Sequence, residues 1–376
     1  MKVGFFHDHI FTKKDGYIHT SGTLDAHVWN RFFDAGATKV IVCGRFSEHV
    51  KIGAVAEREN VTFVFSENLS NLSSLLLNAN SHEVNAAVTS CDVVVARLPS
   101  EIGFKAIKEA KKQNKIVVCE VVACPHDALN YHGSLKAKVY SYLSKLRMEK
   151  WVARCDGALY VTKNELQSRY PCNGIVANAS NVEISDINYD SISVRSGRFN
   201  SRKQKGTLKF GLIGTMKNKT KGIDIAINAL KGVKGSLHVI GSGYDESYSQ
   251  LAKQVNVDFR HDGFISDKSE IMKWLDDIDI YLQPSFQEGL PRATIEAMSR
   301  GCPVLASNAG GLPELVRSLY IHERGNVNKL SLDIKNIIEN YDIDLDTRRS
   351  LTIAESYLSE KLKEKRYKFY EQFIRK

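Results

Sequence analysis

No stretch of this 376-residue sequence approaches the roughly 18 uninterrupted apolar residues that a membrane-spanning helix needs. The opening MKVGFFHDHIF is a short strand-like run broken by His and Asp, not a secretory signal, so a cytoplasmic chain is expected. Cysteine builds no framework either. The seven residues lie scattered at 43, 91, 119, 124, 155, 172 and 302, an odd number with no CxxC pair and no zinc spacing, which fits buried free thiols. No fixed-period repeat is visible, and biased composition is confined to 68–82, NLSNLSSLLLNANSH, read as a helix with a loop. Neither sign of charge dominates: 52 Lys+Arg against 43 Asp+Glu give +9, with basic excess in 101–150 and 195–209. Such a balance suits a nucleotide or a phospholipid surface, and without a nucleic-acid motif neither DNA nor RNA is an expected partner.

What is present is a chain long enough for two domains, 43% hydrophobic and able to bury a core in each. Short apolar runs (3–6, 38–44, 61–65, 92–96, 115–122, 157–162, 174–179) alternate with amphipathic segments such as 23–35, 103–114 and 134–154. Repeated βα units of this kind predict a parallel sheet. The polar stretch 186–206 has little periodicity and reads as a linker. Beyond it the alternation restarts with runs at 208–214, 236–243, 257–264, 279–285, 302–307 and 319–322. The expected organisation is therefore an N-terminal α/β domain over 1–185, a second over 207–351, and a basic helical tail over 352–376 that packs back on the first.

The densest chemical signal is 284–316, PSFQEGLPRATIEAMSRGCPVLASNAGGLPELV. A strand ends at Ser285, a loop carries Glu288-Gly289-Leu290, and Pro291 opens a helix, where its missing N–H costs nothing. Free amides at such a helix start, placed on the carboxyl edge of an open α/β sheet, attract phosphate. Glu288 in the loop and Glu296 two turns on supply carboxylates that accept from hydroxyls, a pairing suited to a sugar and a ribose. Gly310 and Gly311 precede a second helix start of the same kind.

This segment resembles the C-terminal signature of the family 4, or group 1, retaining glycosyltransferases. The resemblance implies the GT-B fold: two Rossmann-like domains with parallel sheets facing across a cleft, the nucleotide-sugar donor on the C-terminal domain and the acceptor mainly on the N-terminal one. By position, Glu288 would contact the donor sugar, Gly289 and Leu290 would offer amides near the sugar and diphosphate, and Glu296 would hold the ribose. The stretch GTMKNKTKG, 214–222, is similar to the family's diphosphate-gripping loop after the first strand of the second domain. Gly214 and Lys221 fit it, whereas Thr215 stands where the family usually has Arg. Gly241 and Gly243 fit a G-x-G turn, and Glu246 in the third glycine's place counts against a nicotinamide enzyme.

In the first domain the resemblance implies that the stretch HDHIFTKKDGYIHTSG, 7–22, is a long loop that closes over donor and acceptor, with Gly16 making the close approach. His126, after the run 115–122, falls where the family has a His facing the donor sugar. Arg97 ends a strand at the ligand edge and suits an acidic acceptor or a pyrophosphate, or else an ordinary ion pair. Arg97 and His19 are the acceptor-side candidates. No cofactor or metal is expected, since GT-B transferases as a class manage without one. The segment 132–150 has Leu135, Val139, Tyr142, Leu143 and Leu146 on one side with Lys136, Lys138, Lys145, Arg147 and Lys150 around it. It fits either a helix lying on anionic lipid or a core-facing helix with a solvated outer face.

The resulting expectation is a cytoplasmic enzyme, peripheral at the inner face of the membrane. It would transfer a sugar with retention from a nucleotide diphosphate sugar to a saccharide hydroxyl, the acceptor being lipid-linked, in assembly of a bacterial capsule, O-antigen or exopolysaccharide. Glu288, Lys221 and His126 are its expected catalytic residues. A sugar-nucleotide epimerase or hydrolase of the same fold and a non-catalytic binding subunit are the alternatives. Removal of Lys221, in its lysine-rich loop, is expected to weaken nucleotide binding with little loss of thermal stability.

Overall fold

The computed structural model describes residues 1–69, 81–130, 135–340 and 342–375. The chain forms two compact units, Met1–Asn181 with Leu362–Lys376, and Val182–Lys361.

In the first unit the sheet comprises β1 (Lys2–Lys14), β2 (Tyr17–Thr20), β3 (Lys39–Phe46), β4 (Val61–Phe65), β5 (Val93–Leu98), β6 (Ile116–Val121), β7 (Gly157–Tyr160) and β8 (Ile175–Asn178). Its order is β4-β3-β1-β5-β6-β7-β8, with β2 paired to β1. All pairings are parallel except the β1–β2 hairpin. Runs such as Val93-Val94-Val95-Ala96 are buried on both faces, which is why they read as continuous rather than alternating hydrophobics. The strand order reverses at β1, where β3 leaves on one side and β5 on the other, and open α/β sheets bind ligands at such a switch point.

The second unit repeats the plan with β9 (Leu208–Ile213), β10 (Gly235–Ile240), β11 (Asp258–His261), β12 (Ile280–Gln283), β13 (Val304–Ser307) and β14 (Ile321–His322), in the order β11-β10-β9-β12-β13-β14, all parallel. Its switch point lies between β9 and β12. The loops after β9 and β12 are therefore brought side by side, although 67 positions separate Lys221 from Glu288.

Three segments differ from expectation. The supposed linker contains a helix, Ser191–Lys205, that belongs to the second unit. Beside one core residue, Phe199, its hold is electrostatic: buried Arg195 donates to the carbonyls of Leu275, Ile278 and Arg300, while Arg198 and Arg202 pair with Asp279. A helix fixed by cations on helix-end carbonyls leaves little apolar period in its sequence. The tail also divides. Helix Ile343–Glu355 lies in the second unit, and after a break the helix Ser359–Ile374 carries Leu362, Phe369, Tyr370 and Phe373 into the core of the first.

The third difference is in helix Leu135–Val152. Among its described side chains, Ser141, Ser144, Met148 and Val152 are buried, while Tyr142, Leu143 and Leu146 stand out at 57%, 50% and 43% exposure. The core-facing reading of those three residues is thus reversed: two small serines let the helix approach its neighbours on the opposite face. The side chains of Leu135, Lys136, Lys138 and Val139, and most of the 68–82 stretch, lie outside the described residues.

Candidate functional site

Three loops meet at the carboxyl edge of the second unit's sheet. The first follows β9 and ends at Gly222, whose left-handed φ of 66° and contact with the Pro284 carbonyl leave no room for a side chain. The second follows β10. A Cβ on Gly241 would overlap the Gly214 carbonyl oxygen, so the G-x-G turn is required by backbone against backbone. The third, after β12, carries Glu288.

Lys221 Nζ donates to Glu288 Oε1 at 2.6 Å, and that oxygen also accepts from Ser285 Oγ at 2.7 Å and Gln283 Nε2 at 2.9 Å. Gln283 is in turn fixed by the Tyr281 hydroxyl, which donates to its Oε1 at 2.8 Å. Glu288 therefore does not swing freely from its loop. One carboxylate oxygen is saturated, and the other bonds nothing among the described residues, which leaves it able to accept from a hydroxyl. Gln283, Ser285 and Tyr281 escaped the sequence reading; the available signal was two polar residues, Gln283 and Ser285, closing an otherwise apolar strand.

The remaining second-unit candidates divide between this cradle and a separate recess. Thr215 Oγ1 donates to the Ser242 carbonyl at 3.1 Å and accepts from Lys217 N, so it ties the first two loops together and adds no charge. Lys217 packs over Gly243, whose φ is 79°. The Gly289 carbonyl accepts from Gly311 N at 2.8 Å, joining the loop of Glu288 to the second helix start, itself a single turn over Leu312–Leu315. Leu290 packs against the core. Helix Arg292–Ser299 begins after Pro291 with no side-chain cap. About one turn along it, Glu296 lines a cavity of about 400 Å³ with Lys268, Ser269 and Met272. Burial pushes the Glu296 carboxyl above its usual range despite the nearby Arg292 and Lys268 cations.

Among the described residues, no hydrogen bond or ion pair joins any two of the four first-unit candidates to each other. The stretch read as a closing loop is the β1–β2 hairpin; Gly16 sits in its turn with a φ of 86° and open space around it, so its glycine is explained by backbone conformation alone. His19 is pinned to the Gly53 carbonyl, Nδ1 to O at 3.0 Å. His126, on the helix Pro125–Asn130, is half-exposed with Nδ1 3.6 Å from Asp127. Arg97 donates to buried Glu120 at 2.9 Å, and Glu120 also receives Arg31 at 2.7 Å and the Tyr370 hydroxyl at 2.5 Å.

Residues 207–340, which carry this cradle, match the family described as "Glycosyl transferases group 1". Protein CapJ of Staphylococcus aureus is 31% identical over 352 residues, covering 88% of this chain and 85% of its own. The chain belongs to the group 1 glycosyltransferases. The amylovoran biosynthesis glycosyltransferase AmsK of Erwinia amylovora is 33% identical over 114 residues, 26% of this chain and 27% of that one. Among solved structures, Anabaena Alr3699/HepE in complex with UDP superposes with a TM-score of 0.62 at 15% identity, over 97% of this chain and 98% of that one. The fold of this glycosyltransferase is accordingly GT-B. The family assignment makes it a transferase and gives the Lys221–Glu288 cradle its context.

Proposed function

We propose that this glycosyltransferase moves a sugar from a nucleotide diphosphate sugar to a saccharide hydroxyl, with retention, in the assembly of a bacterial surface polysaccharide. The observation that carries this reading is the Lys221–Glu288 contact, in which an ammonium and a half-satisfied carboxylate share one sheet edge. The Lys221 ammonium has three donors, so it can hold Glu288 and meet the leaving diphosphate, while the open oxygen of Glu288 orients a sugar hydroxyl. Uncapped amides at helix Arg292–Ser299 add positive potential for the phosphates. Glu296, in its recess, takes the ribose. In front-face transfer the leaving diphosphate itself helps to remove the acceptor proton, so no protein nucleophile is required, and the residues act by positioning and charge neutralisation. Its relatives' role in amylovoran synthesis and the UDP bound by HepE support a nucleotide-sugar donor and a polysaccharide product.

The test is a thermal-shift screen of UDP, GDP, ADP and their sugars, since a ligand held by the native state raises the melting temperature. It is followed by transfer assays on Glu288→Ala and Lys221→Ala. Near wild-type transfer by both variants refutes the site, and donor consumption that needs no acceptor favours the hydrolase. The anomeric coupling constant of the product by NMR decides retention.

The exposed Tyr142, Leu143 and Leu146, with the exposed Lys150 on the same helix and Lys145 paired to Glu149 beside them, support peripheral contact with an anionic membrane. Co-sedimentation with vesicles containing phosphatidylglycerol, absent with phosphatidylcholine alone and lost in Leu143→Ser/Leu146→Ser, is the expected result. Equal sedimentation of that variant refutes the contact.

A further inference from the structure

The switch point of the first unit's sheet holds a second set of charged groups. Arg97, the penultimate residue of β5, lies one position beyond the Phe6–Ala96 pair, beside the place where β1 leaves its register with β3 between Phe6 and Ile10. That irregular stretch contains His7, Asp8 and His9. Bulged strands at sheet edges re-aim side chains, and this one is anchored: the Asp8 carboxylate accepts from Glu101 N at 2.6 Å and Ile102 N at 3.0 Å, at the start of helix Glu101–Lys112. The backbone carrying both histidines is therefore fixed.

Several cations at this edge converge on one carboxylate. Glu120 is one buried carboxylate between two guanidinium groups, those of Arg31 and Arg97, and it also accepts from the Tyr370 hydroxyl. Arg366 adds its field to the same carboxylate. His7 and His9 contribute no charge of either sign, because burial, with Arg97 adding to it, holds their rings down to about 3 and about 4. Arg97 shares Glu120 with Arg31 and is mostly buried, and an anion meeting its remaining donors would offset the cost of burying its charge. Arg97 also offers donors for one. Among the described residues its Nη1 bonds Glu120 and its Nε and Nη2 bond nothing, which leaves the two-pronged edge that grips carboxylate and phosphate. Beside it, His7 Nδ1 is buried and has no hydrogen-bond partner.

We propose that the free edge of Arg97, with His7 and His9 beside it, is a recognition site for an oxyanion on the acceptor. It rests on the transferase reading and adds to it the acceptor's chemical class: the acceptor is acidic. The oxyanion has two possible sources, the carboxylate of an acidic sugar and the phosphate of a lipid carrier. Either would accept two N–H bonds from Arg97, with His7 Nδ1 meeting an adjoining oxygen or hydroxyl according to its tautomer.

The experiment follows the histidine side chains by ¹⁵N NMR in the full chain saturated with UDP, His7 being assigned with His7→Gln. The probes are methyl glucuronide, inorganic pyrophosphate and the neutral methyl glucoside. Millimolar glucuronide or pyrophosphate is expected to shift His7 and His9, the stronger of the two naming the source, while the glucoside leaves them in place. Arg97→Lys keeps a cation on Glu120 but lacks the fork; it is expected to melt near the wild type and to bind the acidic probe at least tenfold more weakly. Arg97→Gln is expected to lose the shift altogether. The proposal is overturned if neither anion moves the histidines, or if Arg97→Lys binds as the wild type does. Should UDP itself fail to bind, the donor reading falls, and the anion-dependent shift of His7 still decides this one.

Discussion

Lys221→Ala separates two roles that one contact combines. In the structure the ammonium is about a quarter exposed and its partner Glu288 is nearly buried, at 27% and 8% of their side-chain surfaces. Deleting the lysine leaves the carboxylate with neutral donors from Ser285 and Gln283 only. A hydrogen bond to a charged group of this burial contributes about 1.5–3 kcal/mol. For a unit of this size each kcal/mol shifts the midpoint by roughly 2–4 °C, so the melting temperature should fall by roughly 3–12 °C. Replacing Glu288 by Gln in the same background removes the stranded charge while keeping an oxygen for Ser285, and most of the loss should be recovered. Nucleoside diphosphate affinity should behave differently: about tenfold to a hundredfold lower in Lys221→Ala, by the same charged-bond range, and not restored in the double variant. Scanning calorimetry and titration calorimetry with UDP on the four proteins of the cycle measure both quantities. An unchanged midpoint in Lys221→Ala, or a double variant no more stable than the single, refutes the claim that this pair holds the cradle together. The lysine-rich loop by itself suggests a free cation whose removal costs little, and the contact with Glu288 is what reverses that expectation.

Two further outcomes follow from the backbone and from the buried charges. Gly241→Ala should melt well below the wild type and lose nucleotide binding, because its Cβ would overlap the Gly214 carbonyl; Gly16→Ala, left-handed but with open space around it, should cost only about 1–2 kcal/mol. Equal melting temperatures for the two would contradict the close packing of the loops. Glu120 is raised by burial but pulled down more strongly by Arg31 and Arg97, to about 2 from an ordinary 4.5. Because its folded value is depressed, its contribution is complete above about pH 4.5 and disappears as the pH falls towards 2, with a size on the order of 3 kcal/mol. The stability gap between wild type and Glu120→Gln, measured by urea unfolding, should therefore narrow over that acid range; a gap independent of pH would show that the carboxylate's charge is not what stabilises the unit.

The parts legible beforehand were those with a local cause. Apolar runs such as 93–96 and 304–306 form parallel strands because burial on both faces demands continuous apolar sequence. Gly222, Gly241 and Pro291 announce tight loops and a helix start through their backbone constraints, and the run 284–316 identifies the family. The illegible parts depend on partners distant in the chain. The hairpin of β1 and β2 was hidden because His7, Asp8 and His9 interrupt the apolar pattern of a strand that returns to the core at Phe11, and helix Ser191–Lys205 because arginines and a single core residue, Phe199, attach it.

The two α/β halves, the loops at the carboxyl edge of the second sheet and the glycosyltransferase family were set by local sequence, since strand burial, turn chemistry and motif spacing are properties of neighbouring residues. Tertiary structure alone decided that Lys221 and Glu288 share a bond, that Arg97 leans on Glu120 while keeping one edge open, and that Tyr142, Leu143 and Leu146 face outward. Strand order and helix rotation set those contacts, and both are fixed by the surfaces that pack together across the fold, which no local pattern encodes.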